Sequence, residues 1–224
     1  MLCMNVLINS FFGIIVDMNG IFISLEGPDG AGKSTVLQAI LPDLQNKYGE
    51  IVATREPGGV RVAEEIRHVI LNPKNTEIDA KSELLLFAAA RRVHLQSKVE
   101  PALAEGKMVI ADRYIDSSVA YQGFGRGLGL EVVEWLNDFA TDGLKPDLTL
   151  YFDIDTEVAL ERIKKNRSED IDRLDMERAE MHRKVRAGYL EIVKSEPERF
   201  VTIDASQPLE KVIADSLKVI IERF

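Results

Sequence analysis

Two kinds of hydrophobic pattern alternate along this chain. Short runs rich in β-branched and aromatic residues occupy residues 21–26, 51–54, 108–112, 148–153 and 200–204. Apolar residues recur with helical spacing over residues 33–48, 60–71, 80–105, 130–141, 156–166, 176–195 and 209–224. Short continuous apolar runs are typical of parallel strands buried on both faces. The alternation predicts a doubly wound α/β fold, in which helices flank a five-stranded parallel sheet.

The same pattern predicts one domain over residues 18–224 and a leader over residues 1–17. No repeat, low-complexity tract or flexible linker in the 224 residues marks a second domain. The apolar stretch at 6–16 is too short to span a bilayer, and no basic residue precedes Lys33, as a secretory signal would require. We expect the leader to be upstream sequence, disordered or loosely attached, and we expect no membrane partner.

The net charge and the cysteine content indicate which kinds of ligand the protein can bind. The net charge of −9 and the pI near 5.0 disfavour a nucleic-acid partner, which would need a broad basic face. Cys3 is the only cysteine of the sequence, so no internal disulfide and no cysteine metal site can form. These features favour a cytoplasmic protein whose anionic ligands are small molecules.

A phosphate-binding sequence joins the first predicted strand to the first predicted helix. It matches the pattern G-x-x-x-x-G-K-[ST] and consists of Gly27, Pro28, Asp29, Gly30, Ala31, Gly32, Lys33 and Ser34. Glycines let backbone N–H groups turn toward phosphate oxygens, and the following helix adds the positive end of its dipole. Lys33 is suited to the β- and γ-phosphates, and the Ser34 hydroxyl is suited to Mg²⁺. The sequence therefore predicts a P-loop that binds a nucleoside triphosphate.

Asp29 is an unusual residue for an anion-binding loop. Its carboxylate would repel phosphate unless it faced a metal-bound water or a sugar hydroxyl. Aspartate is also a common turn former. Both roles stay open at the level of sequence.

Three arginines lie where a second phosphate would need positive charge. Arg55 follows the second predicted strand, Arg113 follows the third, and Arg67 lies on the helix between them. Arginine binds phosphate through a planar, bidentate fork, and ligands of such sheets lie at the carboxyl ends of the strands. We predict an acceptor that already carries a phosphate, and ordinary surface positions for Arg61 and Arg92.

Several of these segments together resemble the bacterial thymidylate kinase family. The likeness rests on residues 27–35 including Thr35, on Thr-Arg-Glu-Pro-Gly-Gly at 54–59, on Asp-Arg-Tyr at 112–114 and on Ala-Tyr-Gln-Gly at 120–123. Pro-Asp-Leu-Thr-Leu-Tyr at 146–151 and Asp-Ala-Ser-Gln-Pro at 204–208 extend it, so that it covers about residues 18–224. The resemblance implies a homodimeric enzyme that uses ATP and Mg²⁺ to convert thymidine monophosphate (dTMP) to the diphosphate, in the synthesis of dTTP.

The resemblance also implies a substrate site. Its members are Arg55, Glu56, Arg67, Phe87, Arg91, Arg113, Ser118, Tyr121 and Gln122. Phe87 would stack on the thymine ring, and Arg91, on the same helix face, would reach a base carbonyl. From the residues alone, Phe87 belongs to the apolar run 84–87 and is better explained as a core residue.

A short helix after residue 113 carries the rest of the implied base site. Ser118, Tyr121 and Gln122 have the spacing that places three polar groups on one side of such a helix. By similarity, Ser118 and Gln122 hydrogen-bond the thymine edge, while Tyr121 packs under the sugar and crowds a 2′-hydroxyl. A polar surface helix would explain the same spacing.

A polar segment at about residues 164–175 resembles the mobile lid of the family. Since the P-loop carries Asp29, the resemblance implies that lid arginines close over ATP, with Arg167 as the first candidate and Arg173 as the second. A charged, solvated loop is the alternative interpretation. Gln207, in the segment 204–208, would flank the adenine by similarity or belong to an ordinary turn.

The chemistry predicted here needs no general base. The acceptor phosphate is already anionic at neutral pH, so alignment and charge stabilisation are sufficient. The catalytic set is Lys33, Arg113, Asp29 and Arg167. Ser34 would hold Mg²⁺, and Asp112 would hold a Mg²⁺-bound water.

Two other functions would also use a P-loop. The first is a GTP-binding switch or an ATPase that uses the loop for regulation. A GTP-binding switch needs an N-K-x-D segment, whereas residues 46–49 read Asn-Lys-Tyr-Gly. A kinase for another nucleotide or for a nucleoside is the second alternative. A nucleoside kinase would need a carboxylate base beside the 5′-hydroxyl, and Glu56 is the candidate.

Overall fold

Five strands and a series of helices make up the described part of the chain, which in this computed structural model comprises residues 19–166, 173, 174, 177 and 179–224. The strands are β1 (Ile21–Glu26), β2 (Ile51–Arg55), β3 (Met108–Asp112), β4 (Leu148–Asp153) and β5 (Phe200–Asp204). The α-helices are α1 (Lys33–Tyr48), α2 (Arg61–Leu71), α3 (Ala80–His94), α4 (Glu100–Ala104), α5 (Ile115–Ser118), α6 (Leu130–Thr141), α7 (Thr156–Asn166), α8 (Ala179–Ser195) and α9 (Leu209–Arg223). Wider, π-helical turns occupy Leu95–Val99 and Val119–Gly125.

The strands form one parallel sheet in the order β2-β3-β1-β4-β5. Ile21 of β1 lies opposite Met108 of β3, and Ile23 lies opposite Leu148 of β4. The predicted five-stranded α/β fold is confirmed. Because β1 is the central strand, the P-loop that follows it lies at the middle of the carboxyl edge, where α/β sheets bind ligands.

Side chains of β1 alternate between two hydrophobic cores. Ile23 and Leu25 are fully buried in a core that also contains Ile40 of α1 and Ile220 of α9. Phe22 faces the opposite side of the sheet and packs in a second core with residues of β3 and of the turn Leu95–Val99. Each such buried side chain stabilises the fold by roughly 2 kcal/mol. A third core lies between α3, α6 and α8.

The element bounds differ from the predicted ones at a few places. β2 extends one residue further, to Arg55, and α2 begins at Arg61. The predicted helix over 80–105 is divided into α3, the turn Leu95–Val99 and α4. Pro101 contributes to this division, because it has no N–H to donate to the carbonyl four residues earlier.

Two predicted segments fall wholly or partly beyond the described residues. The leader over residues 1–17 lies outside them, and so do residues 167–172 and 175 of the lid region and residues 176 and 178 at the predicted start of the helix over 176–195. Within the described ranges, no helix has the length and apolar character needed to cross a bilayer.

Candidate active site

A cavity of about 430 Å³ opens at the carboxyl edge of the sheet. The predicted site residues that line it are Asp29, Gly30, Gly32, Lys33, Ser34, Thr35, Arg55, Glu56, Arg67, Phe87, Asp112, Arg113, Ser118, Tyr121 and Gln122. Gly27, Pro28, Ala31, Arg91, Arg173 and Gln207 are described but do not line it. Residues from the P-loop, from the strand ends and from α2 and α3 therefore surround one volume, of a size suited to small-molecule ligands.

Two P-loop glycines are required by the backbone. Gly27 and Gly30 have φ angles of 140° and 79°, which side-chain-bearing residues rarely adopt. A Cβ atom at Gly27 would lie 2.5 Å from the carbonyl oxygen of Phe152, and one at Gly30 would lie 2.5 Å from that of Ala159. At the start of α1, Gly32 has no side chain with which to cap the helix. The first N–H groups of α1 are therefore available to an anion.

Lys33 crosses back over the P-loop. Its Nζ donates to the carbonyl oxygens of Gly27 at 3.0 Å and Pro28 at 2.9 Å, and the residue is only 6% exposed. Burial, together with the nearby positive charge of Arg113, lowers the pKa of Lys33 to about 8. An anionic ligand would favour the charged form, so phosphate binding and Lys33 protonation support each other.

Ser34 and Asp112 place oxygen atoms side by side at the cavity. The Ser34 hydroxyl donates to Asp112 Oδ2, across the boundary between the P-loop and β3. Mg²⁺ prefers oxygen ligands and commonly takes one or two protein groups together with phosphates and waters. The described residues contain no cluster of three or more His, Cys, Asp or Glu that could hold a metal. This oxygen pair therefore fits a Mg²⁺ site that depends on the nucleotide for its remaining ligands.

Asp29 lies in a turn, and its carboxylate binds an arginine and a tyrosine. Arg113 Nη2 donates to Asp29 Oδ1 at 2.7 Å, and the Tyr121 hydroxyl donates to Asp29 Oδ2 at 2.7 Å. Burial alone would raise the pKa of Asp29, but the charges of Arg113 and Lys33 hold it well below its usual range. Sequence reasoning left two roles open for Asp29 and did not foresee this ion pair.

Arg113 connects the P-loop to two distant elements. Its Nη1 donates to the carbonyl oxygen of Gly27 at 2.9 Å, to Ser117 Oγ at 3.0 Å and to the Tyr189 hydroxyl at 3.2 Å. Its backbone has a positive φ of 74°, an unusual conformation for a residue other than glycine. Strain of this kind persists only where surrounding contacts fix the residue, and here those contacts aim the guanidinium at the cavity.

Beneath Arg113 lies Glu26, the last residue of β1, which sequence reasoning missed. It is fully buried and accepts hydrogen bonds from Tyr114 N at 2.7 Å, Ser117 Oγ at 2.7 Å and the Tyr189 hydroxyl at 2.8 Å. Burial and the charge of Asp116 raise the pKa of Glu26 to about 7. An acidic residue at the end of an otherwise uncharged strand is the signal that could have identified it.

Glu56 is committed to protein partners. Arg91 Nε donates to Glu56 Oε2 at 2.7 Å, and His94 Nδ1 lies 3.0 Å from Glu56 Oε1. Burial would raise the pKa of Glu56, but the charge of Arg91 and the hydrogen bond to His94 lower it. A carboxylate held ionised by such partners is a poor general base, which counts against the nucleoside kinase alternative.

Arg91 lies behind the cavity wall. Besides Glu56, it donates to Ser118 Oγ at 3.1 Å, to Asn137 Oδ1 at 2.7 Å and to the Tyr114 carbonyl at 3.0 Å. The residue is 2% exposed and does not line the cavity. Its guanidinium already donates to four protein acceptors. This geometry does not support the predicted contact of Arg91 with a base carbonyl.

The rest of the predicted base site faces the cavity. Phe87 is half-buried and lines the cavity, whereas Leu84, one turn earlier, is 4% exposed and packs in the third core. The core interpretation therefore holds for Leu84 and not for Phe87. Ser118 and Gln122 line the same wall, each with 1% exposure.

The predicted phosphate-binding arginines meet at the cavity, unlike the two surface arginines. Arg55 pairs with Glu64 at 3.1 Å, and Arg67 Nη1 donates to the carbonyl oxygen of Pro57 at 2.9 Å. Arg61 pairs with exposed Glu65 on the solvent side of α2, and Arg92 pairs with Glu100 and Asp142. Neither Arg61 nor Arg92 lines the cavity.

The lid candidates and the adenine candidate have different positions. Arg167 lies outside the described residues. Arg173 donates to Glu83 and, through Nε, to the carbonyl oxygen of Ile70 at 2.8 Å. Gln207 donates to Asp204 Oδ2 at 2.8 Å in the turn after β5 and is exposed.

Two comparisons place this site among known proteins. The family model described as thymidylate kinase matches residues 25–215. The chain is also similar to a crystal structure of thymidylate kinase from Ehrlichia chaffeensis, with 34% sequence identity and a TM-score of 0.73. That match covers 90% of this chain and 98% of the other.

Proposed function

Because the chain belongs to the thymidylate kinase family, we propose that its cavity binds ATP and dTMP side by side and transfers the γ-phosphoryl group between them. The enzyme is a nucleoside monophosphate kinase, and its products are ADP and thymidine diphosphate, a precursor of dTTP. One observation carries the proposal. The P-loop lines one half of the cavity, and arginines and aromatic residues line the other half.

The P-loop half would hold the triphosphate. The backbone N–H groups at the start of α1 and the ammonium group of Lys33 would bind the phosphates. On binding of the nucleotide, Lys33 would exchange its two carbonyl acceptors for phosphate oxygens. Thr35, the next residue of α1 after Ser34, also lines the cavity.

Ser34 and Asp112 would hold Mg²⁺, directly or through a bound water. Their side chains already contact each other at the edge of the P-loop. The ion would neutralise charge on the phosphates during transfer. By holding the ion, Ser34 and Asp112 would also orient the phosphates that bind to it.

The opposite half would hold dTMP. Arg55, Arg67 and Arg113 line the cavity where the acceptor phosphate would lie. Phe87 would stack on the base, while Tyr121, fixed by its hydrogen bond to Asp29, would crowd a 2′-hydroxyl. Glu56 lines this half of the cavity and holds Arg91, which lies behind the wall and donates to Ser118.

Catalysis would rest on alignment and on fixed positive charge. The acceptor oxygen is anionic at neutral pH, so no side chain needs to take its proton. Asp29 and its neighbours raise the pKa of Arg113 well above its ordinary value despite burial, so its charge is permanent. Preorganised charge of this kind stabilises the transferring phosphoryl group without reorganisation. Arg167 and Gln207 would complete the ATP side by analogy with the family's lid and adenine contacts. Arg173 binds Glu83 and the carbonyl oxygen of Ile70 behind the acceptor half, so its predicted contact with ATP is not supported by this geometry.

We also propose that the enzyme is a cytoplasmic homodimer. Exposed apolar side chains on α6 support the second part of this proposal. Trp135 and Phe139 are 64% and 71% exposed and stack on each other at 5.8 Å between ring centres. Exposed aromatic pairs of this kind are typical of protein interfaces. Light scattering would give the mass of a dimer if the proposal is correct.

Release of ADP with three acceptors tests the proposed reaction. With Mg·ATP, we expect rapid release with dTMP, slow release with uridine monophosphate because of the 2′-hydroxyl, and none with thymidine. Preference for thymidine would contradict the proposal and favour a nucleoside kinase.

Calorimetry with Mg·ATP tests the P-loop separately. Lys33→Ala is expected to lose binding, whereas Lys47→Ala, which changes an exposed lysine of the same helix, should bind like the wild type. Equal binding by all three proteins would remove Lys33 from the ATP site.

A further inference from the structure

A buried carboxylate lies directly behind Gln122. Glu83, on α3, is 0% exposed and does not line the cavity. Its Oε1 accepts a hydrogen bond from Gln122 Nε2 at 2.9 Å and one from Arg126 Nε at 3.1 Å. Its Oε2 accepts from Arg126 Nη2 at 2.9 Å and from Arg173. Two arginines and one amide therefore fix this carboxylate.

These contacts keep Glu83 ionised. Burial alone would raise the pKa of its carboxyl, but hydrogen bonds from Arg126 and Gln122 and the charge of Arg126 hold it below the ordinary value. An ionised carboxylate can only accept hydrogen bonds. It therefore determines which end of the Gln122 amide faces it, since only the NH₂ group can donate.

The other end of the Gln122 amide is left for the cavity. Gln122 is 1% exposed and lines the cavity. Its Oε1 receives no hydrogen bond from any residue in the described part of the chain, yet it is not among the fully enclosed polar atoms without a partner. Gln122 thus offers the cavity a hydrogen-bond acceptor, and Glu83 prevents the amide from turning to offer a donor.

Ser118 offers the complementary group beside it. Its Oγ accepts a hydrogen bond from Arg91 Nη1 at 3.1 Å, which leaves the hydroxyl hydrogen to be donated elsewhere. One wall of the cavity therefore carries a donor next to an acceptor. This pair matches the O4 and N3–H edge of thymine and uracil, and it opposes the amino group and unprotonated N3 of cytosine.

We propose that Glu83 is a positioning residue that sets the polarity of base recognition: by holding the Gln122 amide, it selects pyrimidines that carry a hydrogen on N3 and rejects cytosine. The inference rests on the proposed function, because it assumes that the base of the acceptor nucleotide lies against Gln122. It adds a specificity-determining residue from outside the cavity wall.

Glu83→Gln tests the inference with little change in shape. A neutral amide at residue 83 can donate or accept, so the Gln122 amide is free to turn. We expect the preference for dUMP over dCMP, measured as a ratio of dissociation constants and of kcat/KM, to fall about tenfold or more. Affinities for dTMP and dUMP should decrease together, because both bases carry the N3 hydrogen.

Glu177→Gln is the matched control. It makes the same chemical change at the outer end of the network, where Glu177 binds Arg126 but not Gln122. This variant should keep the wild-type ratio. If Glu83 only held Arg173 and the lid region in place, Glu83→Gln would weaken all three nucleotides in parallel, and an unchanged ratio would overturn the inference.

Gln122→Met keeps the test decisive if Glu83→Gln does not fold. It removes the acceptor and leaves the carboxylate in place, so the dUMP preference should again collapse, and a retained preference would also overturn the inference. Wild-type measurements separate this outcome from failure of the proposed function. Wild-type protein that neither binds nor phosphorylates dTMP would contradict the proposed function itself.

Discussion

The two halves of the cavity are built in different ways. The P-loop half consists of consecutive residues, 27–34, and offers backbone groups held by glycine conformations. The acceptor half consists of side chains from separate elements, and buried partners hold several of them: Asp29 holds Arg113, Arg91 holds Ser118, and Glu83 holds Gln122. A change in the first half acts on one contact with phosphate. A change in the second half is transmitted through a buried network, so residues that never touch substrate become sensitive positions.

Arg113 belongs to both halves, and its removal should have the largest effect. Arg113→Ala would take away a fixed charge at the phosphoryl group and leave Asp29 without its ion pair. We expect kcat to fall by about 10³ or more in a protein whose circular dichroism spectrum is unchanged. Near-normal turnover would show that the two halves work without this connection.

A buried carboxylate before α2 and a partly exposed one on α2 should differ in their effect on stability. Glu56→Gln would leave buried Arg91 without its charge partner, and we expect the free energy of unfolding to fall by about 3 kcal/mol. The control is Glu64→Gln, whose partner Arg55 is more than half exposed, with an expected loss under about 1 kcal/mol. Urea denaturation measures both. Equal losses would contradict the importance of the buried network.

Glu26 links the network to pH. Its pKa rises from 4.5 in the unfolded chain to about 7 in the folded protein. The folded state therefore binds the proton more tightly between these values, and the free energy of unfolding should fall as pH rises through this window. The slope from this residue is at most about 1.4 kcal/mol per pH unit.

Comparison with Glu26→Gln isolates that contribution. The stability difference between the variant and the wild type should change from pH 5 to pH 7 and level off above the folded pKa. A constant difference over this range would mean that Glu26 does not titrate as proposed.

Arg61 should give the smallest effect. It lies on the same helix as Arg67 but faces solvent and pairs with exposed Glu65. Arg61→Ala should change kcat/KM for dTMP by less than about twofold. A larger loss of kcat/KM would show that the acceptor half of the cavity includes the outer face of α2.

These differences also explain what could be predicted from the sequence. The P-loop is a continuous segment between a strand and a helix, so the sequence pattern alone predicted it. The alternation of strands and helices likewise predicted the sheet. Phe87, by contrast, sits in an apolar run, and the residues alone indicated a core position. Only the resemblance to a family predicted a position for it at the base site. In the structure, the same helix buries Leu84 and exposes Phe87 to the cavity.

The supporting residues could not be predicted because their partners are remote in sequence. Glu26 and Tyr189 are hydrogen-bonded across 163 residues, and Glu83 and Gln122 across 39. Local spacing carries no information about such pairs. The π-helical turn Val119–Gly125 adds to the difficulty, since its wider winding changes which side chains share a face.

The position of β1 has a consequence for biosynthesis. This strand is made first, yet it pairs with β3 and β4, whose matching residues follow by 87 positions at Ile21 and Met108 and by 125 at Ile23 and Leu148. The helix that follows the P-loop packs against α9, which lies more than 150 residues later in the described chain. A nascent chain on the ribosome must therefore carry its ATP-binding segment without strand partners until β3 has been made, and during that period chaperones, rather than nucleotide, would be its natural ligands.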